Sequence, residues 1–489
     1  MYETGKKVFK NTLYNNLSIF IGALVGFFLT VYIARVLTPT EFGYYQLSFA
    51  IVSFIGTFTI LGLHVATTRY ISYAIKKKDT ALAKSYFKYF LKVKLLLLIS
   101  SVTFIVLFAN ILAGYVFHKP ISLYLQILAI YLFFVSFNGF LLCVINSFQD
   151  FTPNLIQKII YESIRATLII TLLYIGLRVI GVVISLAVAP IFAFIYIVYY
   201  LNKKYKLLLQ GETKQFDKKR IYRFIIEASA ITIGSSIFLK VDSLLIGSLL
   251  PAKDLAYYTA ALTIIYSLIM VTNFSQVLLP TVTQMKEKYL QSSVDKLVKY
   301  TSIFSLFFIV LLILFAHQII YVIYSPKYFS STVVLQILSL LLFTNVFGFV
   351  GVLYVSKEKL GFPAKALYGT LLLNFILTYT GVETMGIVGA AIAVVISRYV
   401  YLGLLINRSK KVLGITINYK YILKPVLASI LTGSIAILYP KPTTLFNGTI
   451  LLLILSVFYF GFLYLIDGYN IEDIKYIFEI TGLKMFLKK

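Results

Sequence analysis

The sequence predicts an all-α integral membrane protein of about fourteen transmembrane helices. They form two pseudo-symmetric six-helix lobes, followed by two further helices. Three observations predict this: the spacing of the apolar blocks, the alternation of basic residues between them, and a short internal repeat.

The 489 residues are 60% hydrophobic and only 13% charged, with a mean hydropathy of +0.90. A soluble domain is nearer half apolar and a quarter charged. The apolar residues come in blocks of about twenty, enough for a helix to cross a bilayer. The first block follows Lys6, Lys7 and Lys10 and lacks a small-x-small cleavage site, so it reads as a retained span rather than a signal peptide.

Basic residues set the orientation. With connections numbered alternately from an inner N-terminus, the inner set holds 36 of the 45 Lys and Arg, among them Lys94 and Lys158, and the outer set holds six. That asymmetry follows the positive-inside rule and supports the span count, since one missed helix would invert every later connection. Both termini are therefore expected in the cytoplasm of a plasma-membrane protein. The Lys clusters explain most of the net charge of +27. They suit anionic lipid headgroups, and no soluble domain is left to present a nucleic-acid face. The inner stretch Lys76 to Lys94 mixes Lys with aromatics and reads as an interfacial helix.

The repeat pairs Ile33–Tyr45 with Ile246–Tyr258 at an offset of 213, and Val179–Ala187 with Ile387–Val395 at an offset of 208. The first pair closes spans 1 and 7 and the second opens spans 6 and 12, so spans 1–6 and 7–12 read as two copies of one unit. Six spans per copy insert the same way up and enclose a cavity about an axis along the membrane normal. The chain then divides into an N-terminal lobe (1–201), a cytoplasmic linker (202–222), a C-terminal lobe (223–410), and spans 13 and 14 with a cytoplasmic tail (411–489). The last two spans have no counterpart and read as an appendage.

Three bases fall inside spans: Arg165 in span 5, Lys240 in span 7 and Arg398 in span 12. Each lies roughly 10 Å or more from the nearer helix end. A cation facing hydrocarbon is costly, so such groups face a bundle interior or an aqueous cavity. Several around one cavity suit an anionic cargo. Arg165 either pairs with Glu162, one turn earlier, or faces cargo. Lys240 and Asp242 point to different faces and are not expected to satisfy each other. Asp242, Glu162 and Glu227 are the acids placed to carry a coupling ion, H⁺ or Na⁺. Arg35 and Glu41 flank an outer turn and read as a local pair. The in-span amides, Asn15, Asn16, Asn138, Asn146, Gln149, Asn273, Gln276, Asn345 and Asn374, either line a polar lumen or bond between helices. Gly22-x-x-x-Gly26 reads as a close helix contact. Cys143 stands alone, no cluster has metal-site spacing, and no cofactor is expected. No acidic motif or large outer loop suggests an enzyme.

Four stretches carry a resemblance: Ala34–Tyr45; Leu61-Gly-Leu with Arg69–Ser72; Val241–Gly247 with Tyr257–Ala261; and Gly386–Ala393. In order and spacing the chain resembles the polysaccharide (O-antigen-type) flippases of the multidrug/oligosaccharidyl-lipid/polysaccharide exporter superfamily, over spans 1–12. The resemblance implies a monomeric, two-lobed exporter that carries a lipid-linked oligosaccharide between leaflets by alternating access. It also implies that Arg165, Lys240 and Arg398 contact the cargo's diphosphate. An ion-coupled exporter of organic cations is the alternative within the same superfamily.

Overall fold

The computed structural model describes residues 2–206, 212–272, 287–357, 359–439 and 445–470. Asn273, Gln276 and residues 471–489 lie outside the described residues.

Among these residues every regular element is helical. α1 is Tyr2–Val36, α2 Pro39–Ile60, α3 Leu63–Lys76, α4 Thr80–Ile111, α5 Ser122–Asn146, α6 Thr152–Tyr174 and α7 Arg178–Lys204. Then follow α8 Lys218–Phe238, α9 Val241–Leu249, α10 Ala252–Thr272 and α11 Glu287–Tyr324. The series ends with α12 Ser331–Ser339, α13 Leu341–Thr344, α14 Gly348–Ser356, α15 Gly361–Leu413, α16 Lys420–Leu438 and α17 Leu445–Leu465. By length and composition, 12 stretches can cross a membrane. α6 misses that count because Lys158, Glu162 and Arg165 interrupt it, and α15 counts once although it holds two spans. The fourteen helices expected from the sequence are all present.

α15 shows why the second point holds. Its backbone breaks at Gly386, where φ is 60° and ψ is −138°, a conformation that costs any other residue dearly. A Cβ on Gly389 would lie 2.0 Å from the carbonyl oxygen of Gly381. Residues eight apart in a straight helix stand about 12 Å apart, so the chain has doubled back, and spans 11 and 12 are the two arms.

The chain divides into two compact units, one of residues 1–263 and 367–393, the other of 264–366 and 394–489. In the first unit, α3, α4 and α5 share a core with the C-terminal end of α7 and the start of α8, built on Phe87, Phe90, Phe140, Val144 and Ile225. The stretch from Lys76 to Lys94 is helical from Thr80 and forms the first half of α4, with Tyr86, Phe87 and Phe90 in this core and Lys94 also buried. The two repeated stretches meet in this unit: Gly43 abuts the Ala252 carbonyl, and Leu47 packs against Gly247. Glu41 does not serve as the partner expected for Arg35. It closes a capping box with Thr38 and pairs with Arg178 Nη1 at 2.6 Å.

In the second unit, α16 and α17 are docked rather than appended. Phe307 and Leu311 of α11 pack against Ala428, Leu455 and Tyr459, and the Tyr459 hydroxyl donates to the Ile303 carbonyl at 2.7 Å. The in-span amides whose partners are seen bond to neighbouring groups: Asn138 donates to Pro190 O at 2.9 Å, and Asn345 to Ile269 O and Thr272 Oγ1. In lipid such bonds have no competing water.

At the end of α5, Asp150 knots α6 to α7. It accepts from Lys204 Nζ at 2.6 Å, Tyr200 at 2.7 Å and Tyr205 at 2.9 Å. Burial raises the Asp150 pKa, but these donors outweigh it and hold the carboxyl below its ordinary value. A carboxyl more acidic in the folded than the unfolded state stabilises above its unfolded pKa, and that contribution is lost as pH falls through the folded value. The melting temperature of the purified protein should therefore fall as pH drops from about 5 to about 3, and Asp150→Asn should flatten that part of the profile. At the α15 turn, Gly389→Ala should cost about 2 kcal/mol or more, because the added methyl meets backbone. Gly403→Ala, whose Cβ would enter open space, should be neutral or mildly stabilising, and thermal unfolding in detergent separates the two.

Candidate functional site

α6 carries Lys158, Glu162 and Arg165 at i, i+4 and i+7, a spacing that stacks them on one helix face. Lys158 Nζ is 3.0 Å from Glu162 Oε1, and Arg165 Nη2 is 2.5 Å from Glu162 Oε2. The Glu162 side chain is only 3% exposed, so two cations enclose one carboxylate and the face keeps a net single positive charge. The pairing of Arg165 with Glu162 that the sequence allows is thus present.

α1 makes room for these groups. A Cβ on Gly22 would lie 2.1 Å from Lys158 Cε, and one on Gly26 would lie 3.7 Å from Arg165 Nη2. The Gly-x-x-x-Gly pair does bring helices close, and what it accommodates is this row of charges. The spacing of Lys158, Glu162 and Arg165 was visible in the sequence. Lys158 was counted as an inner-loop residue instead, because it stands only six residues into α6.

Aromatic rings continue from the triad. Arg165 Cζ and Lys158 Nζ each lie 5.3 Å from the Tyr161 ring centroid, a distance at which a ring face attracts a cation. Tyr45, Tyr131 and Tyr161 surround the guanidinium. Tyr45 packs against Phe49 with ring centroids 6.2 Å apart, and Phe49 against Tyr131 at 5.7 Å, both pairs tilted. Phe49 also meets Lys240, whose Nζ is 5.9 Å from the ring centroid. Arg165 and Lys240, 75 residues apart in sequence, thus flank one aromatic wall. Elements α1, α2, α5 and α6 and the α8–α9 junction build it.

Lys240 sits where span 7 breaks, between the last residue of α8 and the first of α9. It makes no ion pair with Asp242, as expected. The Asp242 carboxylate lies in the first turn of α9, the end that favours an anion, and accepts from the Tyr258 hydroxyl at 2.6 Å. Glu227 is exposed on α8, as is Arg223 one turn before it. Arg398 is half-buried on α15 and belongs to the second compact unit. Among the described residues no group of three His, Cys, Asp or Glu could hold a metal ion.

The first unit holds two further buried bases, Lys84 and Lys94, both on α4. Lys94 is fully buried in α4, whereas the charge count places it in the inner Lys cluster. Its position at the polar end of a Lys-rich stretch hides it from any hydropathy reading. The aromatic spacing of Phe87 and Phe90, which lies on its own helix face, was the available signal.

Residues 8–286 match the family model described as polysaccharide biosynthesis protein. The chain belongs to this family. The resemblance read from the motifs is thereby borne out, and the solved structures agree in fold. The lipid II flippase MurJ in an inward closed conformation aligns with a TM-score of 0.76 and 18% identity, covering 92% of this chain and 98% of that one. An inward-facing multidrug resistance MATE family transporter of the MOP superfamily aligns at 0.65 and 16% identity, covering 80% and 94%. A MOP superfamily transporter from Pyrococcus furiosus, described by the reversed polarity of its binding pocket, aligns at 0.59 and 15% identity, covering 83% and 95%. None of the curated proteins compared matches the chain. At these identities the structures establish a fold of the MOP superfamily.

The triad predicts its own mutant pattern. Glu162→Ala leaves two enclosed cations without their anion and should lower stability by about 3 kcal/mol, the low end for breaking a buried pair because Lys158 is partly exposed. Adding Arg165→Leu to that variant should recover part of the loss. A double-mutant cycle on melting temperature in detergent measures it; equal and additive losses would mean that the contact contributes nothing.

Proposed function

We propose that this protein is a flippase that moves a polyprenyl-diphosphate-linked oligosaccharide from the inner to the outer leaflet of the plasma membrane by alternating access, for assembly of surface glycans. The observation that carries the reading is the aromatic wall with a cation at each end, Arg165 and Lys240. Cations recognise phosphate oxygens, and rings between them present flat faces on which sugars stack. Membership of a polysaccharide biosynthesis family supports the same cargo class.

Both termini lie in the cytoplasm on this reading, where the Lys clusters meet anionic lipids. Arg398, half-buried on α15, is the third base proposed for the cargo. Asp242 and Glu162 are the acids nearest these bases and carry the coupling ion, H⁺ or Na⁺. Glu227, exposed beside Arg223, is the weakest of the three original candidates. The protein works as a monomer without a cofactor.

The alternative is an ion-coupled exporter of organic cations; a multidrug resistance MATE family transporter is among the structural neighbours. The surplus of bases along the wall favours an anion instead. In a strain lacking the gene, Lys240→Ala and Arg165→Ala should each reduce surface glycan at least about tenfold relative to wild type at equal membrane abundance, the loss of one charge-assisted contact. Lys240→Arg should retain most of it. Undiminished glycan in both alanine variants and in their double would reject the cationic site. Loss of drug resistance with glycan intact would select the alternative.

A further inference from the structure

The second span is broken in its inner half. α2 ends at Ile60 and α3 begins at Leu63, and Leu61 between them has φ 39° and ψ −153°, on the positive side of φ that a leucine seldom occupies. A strained break persists only where its surroundings hold it. Two contacts do so here. On one side, Gly62 N donates to Ser229 Oγ of α8 at 2.9 Å, and the backbone is so close that a Cβ on Gly62 would lie 2.5 Å from the Ile225 carbonyl.

On the other side is Lys94. Its Nζ donates to the Thr59 carbonyl at 2.7 Å and to Ser136 Oγ of α5 at 2.6 Å. Ser136 bonds to the Thr59 hydroxyl, and that hydroxyl donates to Gly56 O at 2.7 Å. The three donors form one directed chain that starts at the lysine. The Thr59 carbonyl belongs to the last turn of α2, where the helix dipole presents its negative end.

No carboxylate of the described residues forms an ion pair with Lys94. The titratable groups that face it are His64 of α3, whose Nε2 is buried without a hydrogen-bond partner, and the Cys143 thiol of α5. From α2 it meets only the neutral groups of Thr59. A fully enclosed ammonium with two neutral acceptors and no counter-anion is a costly group to keep charged, and losing its proton removes the charge. A charge-assisted hydrogen bond is also roughly twice as strong as a neutral one, so the same proton governs the clamp on Thr59.

We propose that Lys94 is a proton-binding site that latches the break in the second span: with the proton bound, α2 is clamped to α4 and α5, and with the proton lost, residues 60–63 loosen. The ligand is the proton itself, and the site is separate from the Arg165–Lys240 wall, so the inference stands whatever the cargo.

The test is amide hydrogen exchange on the purified full-length protein in detergent, read on peptides covering residues 57–66 and corrected for the intrinsic dependence of exchange on pH. In wild type, exchange there should rise about tenfold between about pH 6 and pH 9. Lys94→Arg, permanently charged, should stay slow throughout, and Lys94→Met, never charged, should be fast throughout. His64→Gln and Cys143→Ala should keep the wild-type transition. A flat wild-type profile overturns the proposal, as does a transition that survives in Lys94→Arg or vanishes in His64→Gln or Cys143→Ala. Lys94→Arg alone decides the matter should Lys94→Met fail to fold.

Discussion

The carboxylate of Glu162 is the group on which the candidate site depends. Two basic side chains about two turns apart on one face of a membrane helix would repel each other and find little water. With Glu162 between them, Lys158 and Arg165 become one compact unit with a single net charge. Everything nearby is arranged around that unit. Gly22 and Gly26 remove side chains from α1 so that the row fits, and the Tyr161 ring gives the guanidinium a polarisable face. The cost of charge in lipid falls on packing that the fold can supply.

The same constraint shapes the breaks in the spans. Spans 2 and 7 are each interrupted, at Leu61–Gly62 and at Leu239–Lys240. A broken helix leaves backbone groups without intrahelical partners, and in a membrane these must be met by protein. At the first break, Lys94 and Ser229 meet them from two sides. At the second, the charged residue sits in the break itself and lies against Phe49. In both places a base and an interrupted helix coincide, since the end of a helix is where uncompensated carbonyls make a cation affordable.

Much of this was legible in the sequence. Span number follows from block length, and the family from four short motifs in order, because both depend on local composition that the bilayer enforces. What stayed hidden was contact between distant helices. Counting Lys94 and Lys158 by their distance from the nearest loop placed them with the cytoplasmic residues; whether a base six or fourteen residues into a helix faces lipid, water or protein depends on neighbours that no window contains. Glu41 shows the same limit. Its local partner was taken to be Arg35, whereas the chain brings Arg178 to it from α7. Glu162 and Arg165 were readable as a pair because one helix holds both.

The pairing also bears on how an anion would be handled. A bare cation lining a pore binds an anion well but is expensive in every state without one. Arg165 never faces that state, because Glu162 occupies it when nothing else does. On the proposed reading, a diphosphate exchanges one anionic partner for another, and only the difference between the two enters the binding free energy. Binding is then weaker than to an uncovered guanidinium, which suits a carrier that must also let go. The carboxylate displaced in that exchange needs a new partner, and Lys158 already touches its other oxygen at 3.0 Å. The triad is thus able to pass Arg165 to a visiting anion without leaving Glu162 alone in a low-dielectric surrounding. A simple Glu–Arg pair would lack that property, and the third residue of the row gains its meaning from it.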